Sequence, residues 1–148
     1  MTNSPRGAEG VAFETPTPLG FEAAVERCRE ELAKEGFGVL TEIDVQATMK
    51  KKLDVDREPY LILGACHPPS AHRALTARPE VGVLLPCNVT VSREGGRTVV
   101  RAMNPASAMT LLGDPVVAEV AEEVGAALRR VVEALRTASA PRAGTPAG

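Results

Sequence analysis

The chain has 148 residues, enough for one domain with an apolar core of its own. Apolar residues make up 44% and charged residues 24%, the balance of a soluble globular protein. A net charge of -2, three Phe, one Tyr and no Trp provide neither a basic field for phosphates nor stacking platforms for bases, which argues against nucleic-acid binding.

Residues 1–8 are polar, lack the apolar stretch of a secretory signal and are expected to be a flexible N-terminus ahead of one globular domain over 9–136. "GVAFET" is a short strand candidate. Thr17 is a candidate N-cap with Pro18 at the first helical position, and the helix it opens places Phe21, Val25, Cys28 and Leu32 on one apolar stripe. Gly36 can end that helix in a left-handed turn.

"GVLTEIDV" alternates, with Val39, Thr41, Ile43 and Val45 on one face, as in a half-covered strand. "QATMKKKL" reads as a short helix with Met49 and Leu53 turned inward and a solvated lysine run at Lys50–Lys52. "PYLILGAC" is apolar almost throughout, the mark of a central strand, and "PPSAHRALTAR" follows as a compact helix. If the strands Pro59–Cys66 and Val81–Val91 are neighbours, a short crossover helix between them implies a parallel pair.

"VGVLLPCNVTVSRE" and "RTVVRAMN" form a hairpin joined by a glycine pair. A two-residue turn there pairs Glu94 with Arg97, Val91 with Val100 and Val89 with Ala102. "NPASAMTLLG" is a short helical turn. A final helix from Pro115 to Arg136, about 33 Å long, carries Val117, Val120, Val124, Leu128, Val131 and Leu135. Its stripe also takes in Val116, Ala127 and Val132, more than one packing contact uses, so a homodimer is expected. The tail 137–148 is rich in Gly, Pro, Ala, Ser and Thr and is expected to be flexible.

The elements run β-α-β-(α)-β-α-β-β-α. The expected class is α+β: a single mixed β-sheet with helices packed mainly on one face. No apolar stretch approaches the roughly 18 residues of a membrane span. Three cysteines, an odd number, fit a cytoplasmic protein with reduced thiols.

"YLILGACHPPSAHRAL" followed by "RPEVGVLLPCNVTV" resembles the paired motifs of the bacterial and archaeal family catalogued as domain of unknown function 302. The similarity spans residues 9–136 and implies a small, dimeric α+β domain; it supplies no reaction, cofactor or substrate. One position departs. The family pattern has Asn after the first cysteine and this chain has His67, so a role for that imidazole would be particular to this chain.

Within these motifs Cys66 is the foremost site candidate. It ends a central strand and directly precedes a helix, where unpaired amides and the positive helix end favour a thiolate. Cys87 shares the dry face of the hairpin with Val89 and Val91, unless Pro86 opens a bulge that rotates it. Free cysteine is often only a small core residue, and Cys28 in mid-helix reads so. His67 is a helix cap, a loop residue or a ligand contact; His72 reads as a solvated histidine.

No zinc spacing, Walker loop, dinucleotide fingerprint or nucleophile elbow occurs. The cofactor is unknown, and non-covalent haem ligation by Cys66, His67 or Met103 stays open. The leading expectation is a dimeric small-ligand binding or sensing module with its pocket at Cys66, His67, Cys87 and Asn88. A thiol-dependent enzyme using Cys66, with Asn88 or helix-end amides holding an oxyanion, and a purely structural dimer are the alternatives.

Overall fold

The computed structural model describes residues 10–139; the expected flexible segment 1–8 and all but residues 137–139 of the expected tail 137–148 lie outside them. Five strands form one sheet: β1 (Ala12–Thr17), β2 (Gly38–Asp44), β3 (Tyr60–Cys66), β4 (Cys87–Glu94) and β5 (Arg97–Met103), in the order β1-β5-β4-β3-β2. Five helices accompany them: α1 (Phe21–Lys34), α2 (Val45–Leu53), α3 (Pro68–Ala77), α4 (Pro105–Met109) and α5 (Pro115–Arg136). The class is α+β, in the expected order.

The sheet is wholly antiparallel where a mixed one was expected. The path of the β3–β4 connection explains this. A parallel partner requires the chain to return along all of β3, about 23 Å. Helix α3, ten residues and about 15 Å long, does not reach that far. The residues Pro79–Leu84, part of which the alternation assigned to a strand, wind into a 3-10 turn. The chain then passes a cis Leu85–Pro86 bond and re-enters the sheet at the end it left.

Two other boundaries moved for local reasons. Thr17 does not cap α1; its hydroxyl accepts the Leu19 N–H (3.3 Å), and the helix begins after Gly20. In β2 the register jumps between Val39 and Thr41, leaving Leu40 as a bulge. Val39 therefore stays opposite Ala65, while Thr41 and Ile43 pass to the other face of the sheet, opposite Gly64 and Ile62. Glu42 moves to the helix side, where Arg29 of α1 pairs with it. The hairpin register is the expected one, Glu94 to Arg97 and Val89 to Ala102.

The core lies between the sheet and α1, α3, α4 and α5. Leu63, Val89, Val91, Val100 and Ala102 from the strands meet Cys28, Leu32, Ala74, Val117, Leu128 and Leu135 from the helices. The wide stripe of α5 is consumed inside the chain: of the nine residues in it, only Val116 is exposed. It packs on β1 and β5 with one flank and on α1, α3 and α4 with others, so its apolar stripe is covered within the chain. Ala138, in the expected tail, is also buried.

Helix α2 is the opposite case. Asp44 caps it, accepting from Ala47 N (2.9 Å), yet no residue of it is buried, and Leu53 is exposed where an inward position was expected. On the face of the sheet away from the core, Glu14, Arg101, Thr90, Ile62 and Ile43 form one row across all five strands. The Thr90 hydroxyl in that row is buried without a hydrogen-bond partner among the described residues.

Candidate functional site

The antiparallel β3–β4 pair decides where the two motif cysteines lie. Cys66 is the last residue of β3, Cys87 the first of β4, and Ala65 pairs directly with Cys87. Both thiols therefore meet at one end of the sheet, beneath α3. A cavity of about 260 Å³ opens there, lined by Cys66, His67 and Cys87 together with apolar side chains that include Phe37, Ala74, Met109, Val120 and Val124. Leu40, thrown outward by the β2 bulge, and Leu75 of α3 are exposed residues that also line it. Among the described residues no charged side chain does.

The approach of the strands depends on Gly64. A Cβ there would lie 2.1 Å from the Thr41 hydroxyl and 2.8 Å from Pro86, closer than real atoms come, so only glycine lets β2 and Pro86 close on β3.

The three thiols differ by environment. All are free. Burial pushes Cys28 up to about 12, with Glu31 adding to the effect, and pushes Cys87 up to about 11, with neighbouring Cys66 adding to it. Both are protonated small core residues at neutral pH. Cys66 is half-buried on the cavity wall, and its sulfur has no hydrogen-bond partner among the described residues. The helix that follows is a poorer anion site than its position suggests. Pro68 and Pro69 fill its first two positions and have no N–H to offer. The Ala71 amide is spent on the His67 carbonyl (2.9 Å).

His67 occupies the N-cap position of α3 by backbone geometry (φ -105, ψ 100), but its side chain does not cap the helix. Its ring lies against Phe37 (centroids 5.4 Å apart, 55° between planes), and Nδ1 is 2.8 Å from the Ser70 hydroxyl. The other edge faces Gly36, where a Cβ would come within 3.1 Å of Cδ2 and Nε2. Gly36 also has φ +85, so both its conformation and its neighbour require glycine. A second, smaller cleft of about 170 Å³ shares Phe37, His67, Ser70 and Val124 with the main cavity and adds Glu35, Glu123 and Arg130. His67 stands where an apolar chamber meets a polar one.

The structure thus brings Cys66, His67 and Cys87 to one cavity and leaves Asn88 out of it. Alternation along β4 turns Asn88 to the opposite face, opposite Gly64, where it is exposed. Met103 does not line the cavity, so the three candidate haem ligands are not gathered, and His72 is exposed, as expected. Among the described residues no group of three or more His, Cys, Asp or Glu could hold a metal ion. Sequence reading missed Ser70, Phe37 and Met109. Ser70 was within reach, three residues past the N-cap; Met109 comes from a distant helix with no local signal.

A five-stranded antiparallel sheet with helices on one face and a small apolar cavity at one sheet end defines a compact α+β domain. The family described as "Domain of unknown function DUF302" matches residues 13–135, and the chain belongs to it. An uncharacterised conserved DUF302 protein from Bacillus stearothermophilus, known from its crystal structure, is 30% identical with a TM-score of 0.80; the match covers 85% of this chain and 98% of that one. No curated protein matches the chain. Among the described residues no helix is long and apolar enough to cross a membrane.

Proposed function

We propose that this chain is a small-ligand binding or sensing module whose pocket is the cavity at Cys66, His67 and Cys87. One observation carries the reading: both sequence motifs end on one apolar cavity of about 260 Å³ at the margin of the core. Concave, mostly apolar sites with a few convergent polar groups are the common form of small-molecule pockets. Thiol catalysis by Cys66 is the weaker reading. Asn88 lies on the other face of the sheet, and two prolines occupy the helix end that would hold an oxyanion.

The same proposal takes the module as a cytoplasmic homodimer, in keeping with its free thiols. The dimer contact runs over β2 and α2. Leu40 (67%), Ile43 (49%), Leu53 (64%) and Val55 (46%) are exposed there, and β2 is an edge strand with one side unpaired. A nine-residue helix that buries nothing is marginal by itself, and a second copy would give α2 a surface to pack on.

Native mass spectrometry of the protein purified from its own host tests both parts. The expected result is twice the chain mass plus a small retained molecule, lost when Ala74→Phe fills the cavity. A monomer overturns the dimer contact. A wild-type protein that retains nothing, and whose cavity residues show no NMR shifts with a library of small apolar fragments, overturns the binding role.

A further inference from the structure

The binding role proposed above leaves the chemical class of the ligand open, and the electrostatics of the two joined chambers narrow it. The main cavity has no charged side chain on its wall. A charged group placed there would lose its hydration with no counter-charge in return. The adjoining cleft does hold charges, but they are already matched. Arg130 Nε and Nη2 donate to the two carboxylate oxygens of Glu35 (3.0 and 2.8 Å), and Arg73 donates to Glu123 (2.9 Å). The Arg130 hydrogen bond holds the Glu35 carboxyl below its ordinary range, so this pair stays ionised and closed at neutral pH. A charged ligand head would have to break one of these pairs or sit beside a neutralised one.

His67 is different. Its Nδ1 is engaged by Ser70, while Nε2, beside Gly36, has no hydrogen-bond partner among the described residues, and His67 lines both chambers. The Ser70 hydroxyl can rotate. When it donates to Nδ1, Nε2–H is a donor; when it accepts from Nδ1–H, Nε2 is an acceptor. One imidazole can then serve either a carbonyl or a hydroxyl.

We infer that the ligand is an uncharged amphiphile: an apolar body filling the chamber beside Cys66 and Cys87, and a single oxygen function (alcohol, phenol, aldehyde or ketone) hydrogen-bonded to His67 Nε2. An engineered apolar cavity of about 150 Å³ holds benzene, so a chamber of about 260 Å³ takes a body of roughly ten non-hydrogen atoms.

Four probes with the same chain and different heads test this: 1-octanol, octanal, octanoate and octylamine, each titrated into the full-length protein at pH 7 by calorimetry and by NMR. The alcohol and aldehyde should bind with shifts centred on Phe37, Ala74 and Val124, and the two charged probes about tenfold more weakly or less. His67→Phe, which keeps an aromatic ring and removes both nitrogens, should weaken octanol about three- to tenfold, the effect of one hydrogen bond, while leaving butylbenzene unchanged. If His67→Phe does not fold, Ser70→Ala, which frees Nδ1, should weaken octanol in the same direction. Tightest binding of octanoate or octylamine overturns the uncharged class. Equal binding of octanol and butylbenzene to wild type and variant overturns the role of His67 while the pocket stands. Failure of every probe, butylbenzene included, to shift the cavity residues overturns the binding role itself.

Discussion

The helix-covered face of the sheet holds a tightly packed region and, at the end of β3 and β4, an open one. Under α5, Val117, Leu128, Val131 and Leu135 are sealed against β1 and β5 with almost no exposure. Under α3, at the end of β3 and β4, the packing stops short and a cavity remains. The same kinds of residue supply much of both regions: valine, leucine and alanine. Close packing decides stability where α5 lies, and its local failure leaves an open cavity beside Cys66.

The cysteines measure that difference over the widest range. Reactivity follows thiolate fraction and access. A pKa raised from 9.0 to about 12 cuts the thiolate of Cys28 about a thousandfold, and about 11 cuts that of Cys87 about a hundredfold, before burial slows the reagent further. Limiting iodoacetamide on the native protein at neutral pH should label Cys66 first, with Cys28 and Cys87 modified only in denaturant. Early labelling of Cys87 would mean that the open end breathes more than its packing implies, and the contrast between the two ends would need a dynamic account.

Stability provides a second measure. Leu128 is fully buried in α5, and Leu128→Ala should cost about 3 kcal/mol through lost transfer energy and the cavity left behind. Val83 is 86% exposed in the 3-10 turn that leads into β4, and Val83→Ala should stay within about 0.5 kcal/mol. Urea melts of the two variants give the comparison directly. Similar losses would show that the open end is as tightly coupled to the fold as the closed one.

The closed region was legible in the sequence and the open one was not. The 3.6-residue stripes of α1 and α5 and the glycine-pair hairpin are local patterns, and they fixed the element order, the β4–β5 register and the buried side of Cys28 and Cys87. The cavity depends on three facts that local pattern does not encode. The β2 bulge at Leu40 flips the face of Thr41 and Ile43 within a run that alternates without a break. The return of the chain after α3 sets Cys87 beside Ala65, and alternation alone could not say whether β3 and β4 run parallel. Met109 and Val124 reach the cavity from helices 40 to 60 residues away in the chain, roughly speaking, by tertiary packing alone. The motif around Cys66 does border the cavity, while Asn88 was lost to the period-two alternation of the strand that carries it.

The face of the sheet away from the core sets a third and smaller contrast, charge held in partial water against apolar packing in its absence. Glu94 sits there between Arg101, which donates to its two oxygens (2.6 and 3.2 Å), and the hydroxyl of the fully buried Ser92 (2.7 Å). These hydrogen bonds, Arg101 foremost, lower its pKa from 4.5 to about 2. Arg101 is held in turn by Glu14 across β1 (2.7 Å). Because the folded value lies below the unfolded one, the stabilisation is complete above about pH 4.5 and is lost as the pH falls toward 2. The side chains are 42% and 29% exposed, so solvent screening reduces the contribution to about 1 kcal/mol. Urea melts from pH 7 to pH 2.5 should show wild type losing that amount relative to Glu94→Gln, which cannot titrate and leaves Arg101 paired with Glu14. Added salt should shrink the difference, as it does for a partly exposed pair. Parallel acid limbs for the two proteins would mean that water already screens this cluster completely, and that the fold is held by the helix-covered face alone.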